Sequence, residues 1–154
     1  VGGASVGDHD RVRAALAAAG AELLFWKVNI KPGKPLFFGR AERALVLGLP
    51  GNPVSALVTC FVFGVPLLRA LQGDRRPLGR VTSARLAAPL RHRPGRLGLV
   101  RARWQGTDQV VPLDNQSSGA TTSMAWAEVL VVVAKDSSGY QAGELVQVMP
   151  LDDS

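Results

Sequence analysis

The chain has 154 residues, 47% of them hydrophobic and 19% charged, with a formal net charge of +6 and a pI near 10.4. That apolar content excludes a disordered chain, and the length allows one domain or two small ones. The positive excess suits any anionic ligand, an aromatic fraction of 6% offers little for stacking nucleobases, and the single cysteine, Cys60, excludes an internal disulfide framework and fits a reducing cytoplasm.

The chain opens on a Gly-rich turn, Gly2-Gly3-Ala4-Ser5-Val6-Gly7-Asp8. Such a turn normally follows a strand, so an upstream strand is expected outside this sequence, removed or encoded elsewhere. No charged region stands ahead of an apolar run, as a signal peptide would require. Asp8 or Asp10 can cap a helix running to about Ala19, because Val12, Ala15, Leu16 and Ala19 fall at helical spacing and Gly20 suits the C′ position. Glu22 to Ile30 reads as a strand. Lys31-Pro32-Gly33-Lys34-Pro35 is a loop, since two prolines and a glycine permit neither ladder nor helix. Leu36 to Gly39 is a short strand, Arg40 to Arg43 a turn, and Ala44 to Leu47 a buried strand. The loop at 31–35 is too short for a parallel crossover, so the strands flanking it are expected to be antiparallel.

Gly48-Leu49-Pro50-Gly51-Asn52-Pro53-Val54-Ser55 then joins that strand to a long apolar helix ending near Leu71. Asn52 suits the N-cap, Pro53 the first helical position, and Ser55 a second cap contact. Val54 to Leu71 is long enough to raise the question of a membrane span. Ser55, Thr59, Gly64, Pro66 and Arg69 within it favour a buried core helix, with Cys60 a buried thiol. Pro66 is expected to end or kink the helix. Helical periodicity stops at Gln72 to Gly79, where charge, glycine and proline cluster, and a domain boundary is placed there. Short apolar runs follow at 81–88, 97–105, 109–113, 128–134 and 144–149. They suggest a small β-barrel or sandwich. Ser117 to Ala125 fits one helical turn, with Met124 and Trp126 as buried anchors. The whole order fits part of a three-layer α/β domain followed by a small all-β domain.

Two strand–turn–helix junctions and three lysines, Lys27, Lys31 and Lys34, point to a phosphorylated or otherwise anionic small molecule, because helix N-termini attract anions and lysine is a compact point charge. Asp8 and Asp10 read either as caps or as a Mg²⁺ pair. Arg91, Arg93, Arg96, Arg101 and Arg103 read either as basic barrel surface or as contacts for phosphate or nucleic acid. His9 and His92 sit alone in polar turns, expected to face solvent, and no His/Cys spacing fits zinc. The glycine turns match neither a P-loop nor a nucleophile elbow.

Three stretches in order, Gly2 to Asp10, Phe25 to Pro35 and Gly48 to Ala56, resemble the molybdopterin molybdenumtransferase family, which includes the gephyrin E domain. The resemblance continues through Pro94-Gly95-Arg96 and Gln116-Ser117-Ser118-Gly119 and covers the C-terminal part of such proteins. It implies that residues 1–73 are the latter half of the molybdopterin-binding α/β domain and residues 78–154 a C-terminal β-barrel domain. The implied reaction inserts molybdenum from molybdate into adenylylated molybdopterin with release of AMP, with Mg²⁺ as cofactor. The resemblance implies Asp8, Asp10, Lys27, Lys31 and Lys34 as catalytic residues, the two aspartates also as metal ligands. It implies Gly2, Gly3, Ser5, Pro50, Gly51, Asn52, Pro53, Ser55, Arg96 and Ser118 as substrate-binding. A cytoplasmic homodimer is expected, with the upstream half as a possible separate chain and with neither nucleic acid nor membrane as partner. This chain alone is expected to be inactive. The alternative function is a non-catalytic scaffold of the gephyrin type.

Overall fold

The structure is a computed structural model and describes residues 11–117 and 119–152. Helix α1 (Arg11–Ala18) ends at Gly20, whose φ of 70° is the left-handed conformation that glycine adopts without strain at a C′ position. Three strands form an antiparallel sheet in the order β1-β3-β4: β1 (Glu22–Trp26), β3 (Phe37–Ala41) and β4 (Ala44–Gly48). The expected strand 22–30 is therefore split. Its first part stays in this sheet. Its end becomes β2 (Ile30–Lys31), which pairs with another sheet altogether. The break falls at Lys27, which adopts a φ of 74°. A left-handed residue with a Cβ costs roughly 1–2 kcal/mol and turns the chain out of the strand. Phe37 stacks on Trp26 with centroids 4.7 Å apart, and its ring covers Gly48, where a Cβ would lie 1.8 Å from the ring. Only glycine can close β4 under that ring.

The long helix begins as expected. Asn52 is extended at φ −74° and ψ 127°, Pro53 follows it, and the Asn52 side-chain oxygen accepts from the Ser55 N–H at 3.1 Å and from its hydroxyl at 3.3 Å. Pro66 neither ends nor sharply stops the helix. α2 (Pro53–Thr59) passes through a π-helical turn at Cys60–Gly64 into α3 (Val65–Leu71). The Val65 N–H reaches back five residues to the Cys60 carbonyl, so the turn widens just before the proline. That widening relieves the demand a proline makes on the preceding α-helical turn. The run 53–71 is long and apolar enough to cross a membrane by length and composition, but it is not the fully buried core helix expected from sequence. Val54, Val58 and Gly64 are buried, whereas Leu57, Leu68 and Leu71 are exposed and Cys60 is only half-buried.

Residues 72–81 carry no helix or strand. Beyond them five strands close into a barrel: β5 (Thr82–Leu86), β7 (Leu97–Gln105), β8 (Gln109–Pro112), β9 (Val129–Val133) and β11 (Leu145–Pro150). The order β7-β8-β5-β11-β9 is closed by pairing of β9 back onto β7. A two-stranded ribbon, β6 (Leu90–Arg91) with β10 (Gly139–Tyr140), lies beside it. Alternation decides which residues fill the barrel. Val129, Val131, Val133, Val146, Val148, Val100 and Ala102 point inward into one core. Leu99 and Leu130 alternate outward and join a second core with Ile30, Val54 and Val58. The long helix thus rests on the outside of the barrel, and β2 extends the barrel sheet by pairing parallel to β7. α4 (Thr121–Ala125) is the expected short helix. Met124 packs against the second core, but Trp126 is 74% exposed rather than a buried anchor.

Candidate functional site

The lysine loop is held against the barrel by pairing that sequence periodicity does not reveal. Ile30 and Lys31 register with Leu97 and Gly98. Asn29 supplies a second clamp: its side-chain amide donates to the Gly95 carbonyl at 3.0 Å, and its own carbonyl accepts from the Leu97 N–H at 3.0 Å. These bonds bring Lys31 next to the Pro94-Gly95-Arg96 turn. From the other side the loop lies on the helix. Gly33 has a φ of 115°, and a Cβ there would sit 2.4 Å from the Thr59 methyl group. The Thr59 hydroxyl is turned away, donating to the Ser55 carbonyl at 2.7 Å.

Between loop, helix and barrel lies a cavity of about 590 Å³. Lys31, Lys34, Arg91, Arg93 and Arg96 line it, with His92, Ser55, Gln116 and Ser117, and among the described residues no carboxylate lines it. Cations facing one concave space reinforce each other's field, and the low-dielectric walls focus it. Such a cavity selects anions, and the two lysines and three arginines can share the oxygens of a phosphate, pyrophosphate or oxyanion. His92 is half-buried here rather than solvent-facing. Its Nε2 lies 2.8 Å from the Arg96 carbonyl, which can only accept, so Nε2 carries the proton and donates. The ring occupies the space above Gly98, where a Cβ would come within 2.8 Å of it.

The expected site residues separate into three groups. Lys31, Lys34, Ser55 and Arg96 come together at the cavity. Lys27 is exposed and does not line it, because its left-handed backbone takes it away with the end of β1. Pro50, Gly51, Asn52 and Pro53 form the turn that starts α2, and of this stretch only Ser55 reaches the lining. Gly2, Gly3, Ser5, Asp8, Asp10 and Ser118 lie outside the described residues. Among the described residues no group of three His, Cys, Asp or Glu side chains could hold a metal ion.

Sequence reasoning missed Asn29 and underrated Arg101. Arg101 is 1% exposed, and burial pushes its guanidinium pKa below the ordinary value. The available signal was its position. It interrupts the apolar run Leu97-Gly98-Leu99-Val100, in phase with Leu97 and Leu99, which places it on the outer face of β7 beside the cavity.

A family model described as a probable molybdopterin binding domain matches residues 1–70, and one described as the MoeA C-terminal region (domain IV) matches residues 83–151. The chain is 36% identical over 156 residues to a molybdopterin molybdenumtransferase of Haemophilus influenzae, covering 98% of this chain and 38% of that protein. It is 30% identical to the protein of that name in Bacillus subtilis, covering 96% of this chain and 35% of the relative. Its backbone is similar to a crystal structure of the molybdopterin biosynthesis MoeA protein from Pyrococcus horikosii, with a TM-score of 0.75 and 29% identity over 96% of this chain and 36% of that one. The chain therefore spans less than two fifths of the length of these relatives. The sequence motifs, the α/β unit docked on a five-stranded barrel, and these likenesses agree that the chain belongs to the molybdopterin molybdenumtransferase family, as its C-terminal part.

Proposed function

We propose that this chain takes part in molybdenum cofactor biosynthesis by binding adenylylated molybdopterin and molybdate for molybdenum insertion, with release of AMP. The observation that carries this reading is the cavity on which Lys31, Lys34, Arg91, Arg93 and Arg96 converge. Molybdate and the phosphates of the pterin substrate are anions, and a cavity of this size accommodates part of such a substrate. Lys31 and Lys34 emerge from a loop whose backbone is pinned on two sides, so their attachment points are set at the cavity before substrate arrives. Charge fixed in advance where negative charge concentrates is the form of electrostatic stabilisation that needs no reorganisation during reaction. Ser55, Gln116 and Ser117 supply hydrogen-bonding groups at the edges of the same cavity.

Asp8 and Asp10 are the residues that would hold Mg²⁺, jointly with substrate phosphate. Among the described residues the cavity lining offers the ion no carboxylate. We place the domain boundary within residues 74–77, between the helix-bearing unit and the barrel. The active form is read as a homodimer in the cytoplasm. The chain alone is read as competent to bind but not to turn over, because the relatives it matches are more than twice its length.

Calorimetric titration with adenylylated molybdopterin tests the reading. Lys31→Ala, Lys34→Ala and Arg96→Ala should each weaken binding about tenfold, more at low salt than at high salt. Arg75→Ala, in the connecting segment, should not. Equal affinity in all four variants would remove the cavity from consideration as the substrate site. Molybdenum insertion by the isolated 154-residue chain would overturn the statement that it only binds.

A further inference from the structure

Beside the cavity the barrel holds a buried charge that substrate binding does not directly explain. Arg101 does not line the cavity, and among the described residues no carboxylate pairs with it. Among the described residues its Nε is buried without a partner. A buried guanidinium without a counter-charge is costly unless its hydrogen bonds do structural work. Its Nη2 donates to two main-chain carbonyls, Asn115 at 3.0 Å and Ser117 at 3.1 Å.

Those carbonyls belong to the segment 113–117, which leaves the barrel where β8 ends at Pro112 and has no helix or strand of its own. Gln116 makes up for the lost ladder. The Arg101 N–H donates to Gln116 Oε1 at 3.1 Å, and Gln116 Nε2 donates to the Arg101 carbonyl at 2.8 Å. That is the reciprocal pair a strand residue would have offered, supplied instead by a side-chain amide. Gln116 Nε2 also donates to the Leu113 carbonyl at 2.7 Å, and the Leu113 N–H donates to the Arg101 carbonyl at 2.9 Å. Three carbonyls of one short segment are thus gripped by one arginine and one glutamine.

We propose that Arg101 and Gln116 form a clasp that fixes residues 113–117 as the barrel-side wall of the anion cavity, with Arg101 a positioning residue rather than a ligand contact. The proposal rests on the reading of the cavity as an anion site. Its physical basis is the shape of the guanidinium. A planar fork can hold two carbonyls at set angles, whereas a lysine ammonium is a point charge on a flexible stem. Charge alone therefore does not substitute for it. The segment it holds presents Gln116 and Ser117 to the cavity.

The test combines amide hydrogen exchange with calorimetric titration of inorganic pyrophosphate on the full chain. Arg101→Met and Arg101→Lys should both speed exchange across 113–117 at least tenfold and weaken pyrophosphate binding about tenfold. Exchange along the β7–β9 pairing should stay unchanged. Gln116→Ala should act in the same direction, and combining it with Arg101→Met should add little, because both release the same segment. Arg103→Met, the next outward position on β7, should leave both readouts at the wild-type level. Recovery of binding in Arg101→Lys would show that charge, not the fork, matters, and would overturn the clasp. So would unchanged exchange at 113–117, or unchanged binding despite faster exchange. If Arg101→Met does not fold, Gln116→Ala decides by the same two readouts. If the wild-type chain binds no pyrophosphate, the anion-site reading fails, and the clasp then stands or falls on exchange alone.

Discussion

The barrel and the β1-β3-β4 sheet use strands of similar length to opposite effect. In β9 nearly every residue is buried, Val129, Val131 and Val133 inside the barrel and Leu130 on its outer face. In β1 no residue is fully buried, and Leu24 and Phe25 are exposed. Closure explains the first case, since a barrel has no free edge and encloses its inner face. Among the described residues the three-stranded sheet contributes no residue to either core cluster. Phe37, at the start of β3, and Leu36 just before it are buried, beside the loop that leads to the barrel. The contrast shows where the precision of the site originates. The lysines belong in sequence to the open region, but their loop is set by β7, Gly95 and Leu97 of the barrel and by Thr59 of the helix lying on it. A binding loop needs a rigid support, and here the support comes from the other half of the chain.

The largest effect should follow from cutting the joint between the two regions. Leu130 is 0% exposed and packs in the core shared by the barrel's outer face and the helix. Leu130→Ala should cost about 2–5 kcal/mol, the range for emptying a well-packed leucine site. Urea denaturation followed by tryptophan fluorescence measures it. Trp26 lies in the sheet and Trp104 packs against the barrel core, so the wild-type transition should be single, with both regions reporting together. A loss below 1 kcal/mol would mean that the helix does not depend on the barrel wall.

A smaller effect, but one aimed at the site, should come from Gly33→Ala. The new methyl would meet Thr59 in a backbone conformation that disfavours any side chain. Overpacking of this kind costs about 1–3 kcal/mol. The loop should lift from the helix and carry Lys31 and Lys34 with it, weakening pyrophosphate binding several-fold. If stability falls while binding holds, the lysines do not depend on the Gly33 contact for their placement.

The same contrast explains what could be read from the sequence. The barrel strands were legible because Val129, Val131 and Val133 alternate with outward residues, and a period of two has one interpretation once turns bound it. The Asn52-Pro53 helix start was legible because capping is local chemistry. Of the two outcomes expected at Pro66, an end to the helix does not occur, because a widened turn just before it shifts the hydrogen bond the proline would have broken. Trp126 was misread because apolar character does not say which face a residue takes after a short helix. Lys27 was expected to emerge from an apolar strand, whereas its own left-handed backbone ends that strand and it does not line the cavity. His92 looked solvent-facing among turn residues, yet the missing side chain of Gly98 makes room for its ring. The cavity as a whole was not legible, since its arginines and lysines are far apart in sequence and meet through the β2–β7 pairing and the Asn29 clamp. Pairings between distant segments are set by tertiary packing, which no local pattern encodes.

The smallest expected effect sharpens the comparison from the open side. Leu45 in β4 is 44% exposed, in a strand that the sequence pattern marked as buried. If the open face is exposed in solution as in the structure, Leu45→Ser removes little burial and should change stability by no more than about 0.5 kcal/mol. The same substitution at an inward barrel position would cost several times more, because it would strand a hydroxyl in an apolar core. Chemical denaturation at two protein concentrations separates the possible causes of a larger loss. A cost above 1 kcal/mol that grows with concentration would mean that a second copy covers Leu45. A cost of that size independent of concentration would mean that the face is covered within the chain itself, and the description of the sheet as open would be wrong.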